Sequence, residues 1–120
     1  MKIYLATPYS HPDPKVREWR FENINSFAAD LMKCGHVVFS PISHSHPISQ
    51  HLGNSLDSEF YLGQDIPFMN WADKMIIARF LNDPDPCATY DSYGLNWEIE
   101  YMLCNGKETT CVDKWGDCEI

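Results

Sequence analysis

The sequence predicts a three-layer α/β fold, a parallel sheet of four to five strands with helices on both faces, in a single domain over residues 1–120. Three observations carry that expectation. The chain opens on a short apolar run that stops at a proline-rich loop and gives way to a helical period. Apolar runs of strand length then alternate with helical periods to the end. No internal repeat or low-complexity stretch interrupts the alternation, and 120 residues suffice for one core but not two.

Lys2 to Thr7 is a short apolar run ended by Pro8, which suits a buried strand. The loop Pro8 to Pro14 leaves its C-terminal end, where open α/β sheets bind ligands. Asp13 as N-cap and Pro14 in the first helical position begin a helix, with Val16, Trp19, Phe27, Leu31 and Met32 on its apolar face and Gly35 as its stop. His36 to Ser40 is a second strand. Pro41 to Asn54, rich in His and Ser, reads as an irregular segment at the same ligand edge. Leu56 to Leu62 has helical character, and Asp65 stands near the N-cap of a second short helix with Pro67 in its first turn. Lys74 to Phe80 is the third strand, the loop Asn82 to Pro86 follows, and Thr109 to Asp113 is the fourth strand.

The most informative stretch runs from Asp91 to Gly106, a helix capped near Ser92 and stopped at Asn105-Gly106. Leu95, Ile99, Met102 and Leu103 share one apolar stripe, and Glu98 lies inside it, whereas Glu100 faces away. A carboxylate thus stands where a leucine is expected. The ordinary explanations are a buried Arg partner or a side chain snorkelling at the core's edge. Tyr93, Trp97 and Tyr101 form an aromatic stripe suited to packing or subunit contact.

Seventeen acidic against nine basic residues give a formal net charge of −8, which argues against a nucleic-acid polymer as partner. One mononucleotide needs only a few donors, and helix N-termini supply them. Five cysteines without close pairing or a secretory signal read as reduced thiols in a cytoplasmic protein, and no apolar run is long enough for a membrane. A dinucleotide fingerprint and a Walker loop are both missing, and no cofactor is expected. His44, His46 and His51 include a His-x-His pair but no accompanying Cys pair or HExxH, so a substrate-covering segment is expected there rather than a metal site.

Tyr4 with the loop after the first strand, Asp65, and Ser92 with Glu98 are all assigned to the sheet's C-terminal edge. Two carboxylates plus hydroxyls at one mouth suggest acid-base or nucleophilic work on a sugar, as in glycosidic bond cleavage.

Those residues also carry a resemblance. Ile3-Tyr4-Leu5-Ala6, Asp65 followed by Met69, Trp71 and Ala72-Asp73, and Ser92-Tyr-Gly-Leu-Asn-Trp-Glu98-Ile-Glu-Tyr resemble the nucleoside 2-deoxyribosyltransferase superfamily, which includes the 2'-deoxynucleoside 5'-monophosphate N-glycosidases. Pro8-Tyr9-Ser10-His11 and Ser43-His44-Ser45-His46-Pro47-Ile48 resemble a small bacterial and phage branch of it. The resemblance implies a Rossmann-like (flavodoxin-like) sheet, with Glu98 as the nucleophile at C1', Tyr4 as the tyrosine that orients it, and Asp65 as the acid near the departing base. A plain N-cap is the alternative for Asp65.

Ser92 stands six residues before Glu98, where members acting on 5'-monophosphates carry a phosphate-binding serine and those acting on free nucleosides an aspartate. Its alternative is an N-cap alone. The chain departs from the monophosphate hydrolases in two places. Thr7-Pro8-Tyr9-Ser10-His11 replaces their Gly- and Arg-bearing loop, leaving Thr7, Ser10, His11, Arg17 and Arg20 as phosphate candidates, and Asn96 replaces a glycine. Gly94 and His46 complete the expected substrate-binding set. The implied activity is cleavage of a small-molecule nucleotide by double displacement through Glu98. Deoxyribosyl transfer and non-catalytic nucleotide binding are the alternatives, and a homodimer or higher homo-oligomer is implied.

Overall fold

The structure, a computed structural model, describes residues 1–53, 56–85 and 87–117. Four strands, β1 (Lys2–Ala6), β2 (Val37–Phe39), β3 (Lys74–Phe80) and β4 (Glu108–Lys114), pair in parallel in the order β2-β1-β3-β4. Each strand was legible to within about a residue because parallel pairing buries both faces and leaves a nearly unbroken apolar run. β1 and β3 are central, so Ile3, Leu5, Ile76 and Ala78 enter one core while Tyr4, Ala6, Met75 and Ile77 enter the other.

The first core is closed by α1 (Pro14–Lys33) and α2 (Pro41–Leu52), the second by α3 (Ser58–Trp71) and α5 (Tyr93–Cys104). A one-turn helix α4 (Ala88–Asp91) precedes α5. The expected three layers are therefore present.

In α1 the Asp13 carboxylate accepts from Lys15 N and Pro14 occupies the first turn, as read from the sequence. Val16, Trp19, Ile24, Phe27 and Ala28 are buried, but Met32 is exposed, against expectation. A 20-residue helix is roughly 30 Å long and a five-residue strand roughly 17 Å, so the last turns run beyond the sheet they pack on. Gly35, with φ +93°, then turns the chain back toward β2.

Two expectations are corrected. The segment from Pro41 is helical through Leu52 rather than irregular: Ser40 caps it by accepting from Ser43 N, with Pro41 in the first turn. That is the same start signal as Asp13-Pro14. Pro47 obscured it, since it cannot donate to the Ser43 carbonyl, but packing of buried Ile42 on the sheet and of α2 on α1 carries the helix through. Likewise, residues 58–71 are one helix, capped by Asp57, whose carboxylate accepts from Phe60 N. Asp65 is therefore mid-helix and its carboxyl caps nothing. Interior Pro67 forgoes only the bond to the carbonyl of Gly63, a residue with open space around it.

In α5 the buried stripe is Leu95, Glu98 and Met102, with Ile99 partly buried; Leu103, one step round from Met102, is exposed. Trp97 stacks on Tyr101 at 5.3 Å between ring centroids against the second core, whereas Tyr93 is exposed. No helix among the described residues is long and apolar enough to cross a membrane. Cys34, Cys87, Cys104 and Cys111 are free thiols, and Cys118 lies outside the described residues.

Candidate active site

A cleft of about 670 Å³ opens where the β1–α1 loop and α2 from one side meet α3 and α5 from the other. Thr7, Ser10, His46, Asp65, Ser92, Gly94 and Glu98 all line it, so seven of the nine anticipated site residues converge. Tyr4, fully buried, lies directly beneath and donates its hydroxyl to Glu98 Oε2. His11 is not among the lining residues: its ring accepts from Asp13 N at 3.0 Å and its carbonyl from the Arg17 guanidinium.

Asp65 and Glu98 are each 7% exposed and have no cation against them among the described residues. Burial penalises their charged forms and pushes Asp65 up to about 7 and Glu98 up to about 8, the neighbouring Asp65 charge adding to the rise at Glu98. The Tyr4 hydroxyl donates to Glu98 and favours its ionised form, and its closeness to Asp65 likewise works against the rise there. Its own pKa is driven well above the phenol range by burial and by the two acids, so it remains a donor. With both carboxyls raised toward neutrality, such a pair can hold one proton between them, leaving one group able to donate and the other able to accept.

The hydroxyls divide by role. Thr7 Oγ1 donates to the Ala78 carbonyl at 2.8 Å and so ties the end of β1 to β3. Ser92 accepts from Leu95 N at 3.2 Å, which caps α5 and leaves the hydroxyl hydrogen available to an anion in the cleft. The Asn96 side chain, where a glycine was expected, points out of the cleft and donates to the Tyr90 carbonyl at 3.0 Å.

Two arginines were phosphate candidates, and they part company. Arg20 is 1% exposed and fully engaged: Nε and Nη2 meet both Asp83 oxygens at 2.9 and 2.8 Å, and Nη1 donates to the carbonyls of Tyr9 and Ser10 at 3.3 and 3.1 Å. It fastens the β1–α1 loop to the loop after β3. Arg17 lines the cleft, and among the described lining residues it is the one guanidinium.

Sequence reasoning did not single out Tyr9, Glu18, Ser45, Ser49 or Tyr61. Tyr9 sits in a loop already assigned to the ligand edge, a signal that was available; Glu18 gave none, being an exposed acid on an otherwise ordinary helix. Glu18 and Tyr9 sandwich His46 by hydrogen bonds. His44 packs against Phe39 and Phe68, and His51 is exposed, so the three histidines diverge; among the described residues no three metal-ligating side chains gather.

The family model described as "Domain of unknown function (DUF1937)" matches residues 1–114. No curated protein matches the sequence. Among solved structures the chain is similar to a 2-deoxyribosyltransferase from the psychrotolerant bacterium Bacillus psychrosaccharolyticus, at 25% identity and a TM-score of 0.61, over 100% of this chain and 77% of that one. This fold-level likeness agrees with the parallel Rossmann-like sheet that the sequence motifs imply. The chain belongs to the family described as domain of unknown function (DUF1937), and its place is within the nucleoside 2-deoxyribosyltransferase superfamily.

Proposed function

We propose that the protein is an enzyme that cleaves the N-glycosidic bond of a 2'-deoxynucleoside 5'-monophosphate by double displacement. The observation that carries this reading is the trio Tyr4, Asp65 and Glu98, two buried carboxyls without a cation, one of them bonded to a phenol that both acids act on, at the floor of a ligand-sized cleft. A binding protein gains nothing from such an arrangement, which costs stability.

In the first step an ionised Glu98 oxygen forms a bond to C1' while the C1'–N bond breaks. The bonding pair leaves on the base nitrogen, which takes its proton from Asp65. In the second step water attacks C1', Asp65 takes the water proton, and the C1'–O bond to Glu98 breaks. Tyr4 donates to Glu98 whenever it is ionised, at the start and as it departs. Ser92 at the α5 N-terminus and Arg17 supply the anion contacts that favour a 5'-phosphate.

A second reading is transfer, in which a free base replaces water. It is favoured by the likeness to a 2-deoxyribosyltransferase. Chromatographic base release from a panel of deoxy- and ribonucleoside 5'-monophosphates and free nucleosides, with and without acceptor base, separates the two. Release abolished by Glu98→Ala is expected; no release from any member under either condition overturns both.

A further inference from the structure

Glu18, His46 and Tyr9 come from α1, α2 and the loop after β1, and the double displacement uses none of them. His46 Nε2 lies 2.7 Å from Glu18 Oε2, and Nδ1 lies 2.5 Å from the Tyr9 hydroxyl oxygen. The ring is held from its sides as well: Phe21 stacks on it at 4.1 Å and Tyr9 meets it edge-on at 5.6 Å between centroids. A carboxylate has only acceptors to offer, so in the neutral imidazole Nε2 carries the hydrogen and Nδ1 the lone pair. Tyr9 must then donate to Nδ1. Burial raises the Tyr9 phenol above its ordinary value, which keeps that proton in place.

The consequence reaches the cleft, which Tyr9 and His46 both line. With its hydrogen committed to His46, Tyr9 has only lone pairs left to present. Ser49, beside it, donates its own hydroxyl to the His46 carbonyl at 2.7 Å, so it does not occupy them. We infer that the Glu18–His46–Tyr9 relay fixes Tyr9 as a hydrogen-bond acceptor in the cleft, and that this acceptor selects ligands bringing an N–H or O–H donor to it. Tyr9 touches the ligand; His46 and Glu18 are positioning residues. The ligand class rests on the nucleotide reading above. On a deoxynucleotide such donors are the amino group of the base and the 3'-hydroxyl, whereas a phosphate dianion has none.

The test has two arms. Nitrogen-15 NMR of the intact chain reads the His46 tautomer without any ligand. Nε2–H with an unprotonated Nδ1 is expected; Nδ1–H, or a doubly protonated ring at neutral pH, overturns the relay. Calorimetric binding, in a Glu98→Gln background that prevents turnover, then compares 2'-deoxyadenosine 5'-monophosphate with its analogue lacking the 6-amino group and with its 3'-deoxy analogue. Deleting the donor that meets Tyr9 weakens binding about tenfold, as expected for one partly buried hydrogen bond. Tyr9→Phe is indifferent to that deletion, within about twofold, and the sensitive analogue shows whether base or sugar carries the donor. Glu18→Lys, which offers His46 a donor in place of an acceptor, abolishes the preference with Tyr9 intact; position 18 is half exposed and tolerates it. Equal discrimination by wild-type and Tyr9→Phe pockets overturns the inference. If none of the four common 2'-deoxynucleoside 5'-monophosphates binds while the tautomer is as expected, the nucleotide reading falls and the relay geometry stands.

Discussion

Asp83, its side chain 8% exposed, and buried Glu98 are both acids serving the C-terminal edge of one sheet, and they are treated in opposite ways. Asp83 receives two bonds from Arg20, whose remaining nitrogen holds two carbonyls of the β1–α1 loop. Glu98 receives one hydrogen bond, from a phenol, and feels the charge of a second acid. The first arrangement satisfies every charge and fixes a loop; the second leaves a carboxyl whose ionised form is costly. Buried charge that serves structure is paired, and buried charge held back from a partner is available for bond making.

The largest effect expected from breaking this contrast is on rate. Glu98→Gln keeps the shape and the bond to Tyr4 but removes the nucleophile, so base release falls at least about 10³-fold in a single-turnover assay. Retention of a tenth of the wild-type rate would remove Glu98 from the chemistry.

Arg20→Ala is expected to act on stability instead. It leaves Asp83 without its cation, with only the Asp85 N–H remaining, and removes the donor to two loop carbonyls, costing about 3–5 kcal/mol in urea denaturation. Substrate turnover by whatever fraction stays folded tells whether the loop clamp also positions the cleft. A loss below about 1 kcal/mol would place this pair with exposed ion pairs.

The shared proton makes activity bell-shaped in pH. With Asp65 at about 7 and Glu98 at about 8, both are protonated below that window and the nucleophile is lost; above it both are ionised and the acid is lost. Between them the reacting form, with the one proton on Asp65, is the minor arrangement of the pair. Each limb changes kcat/KM about tenfold per pH unit once clear of the optimum. A flat profile from pH 6 to 9 would dissociate the pair from the rate.

The smallest effect is a gain. Carboxyls raised from 3.8 and 4.5 hold protons in the folded chain that the unfolded chain releases, so stability is lost as pH rises from about 4 to about 8. Glu98→Gln removes that loss and stabilises the protein by roughly 1–2 kcal/mol at pH 8.5, with little gain at pH 4. Thermal melts at the two pH values check the sign.

Much of this was legible beforehand. Strand boundaries and the Ser92 to Glu98 helix followed from local period and capping signals, and an acid inside an apolar stripe is visible in one dimension. The helix 41–52 was not, because Pro47 masked a good N-terminal start and the helix owes its continuity to packing on α1 and the sheet. Asp65 was expected at the ligand edge and does line the cleft, although its helix was drawn wrongly, since Pro67 looked like a start and is an interior residue.

What the sequence determined by itself was local: which segments extend, which coil, and that one carboxylate occupies an apolar face. Only the tertiary structure decided partnership. It gave Arg20 to Asp83 and left Glu98 to Tyr4, and it set Glu18 behind His46, 28 residues away. Hydrogen bonds and desolvation depend on distances between atoms remote in the chain, and those distances exist only once the two faces of the sheet have closed over their cores.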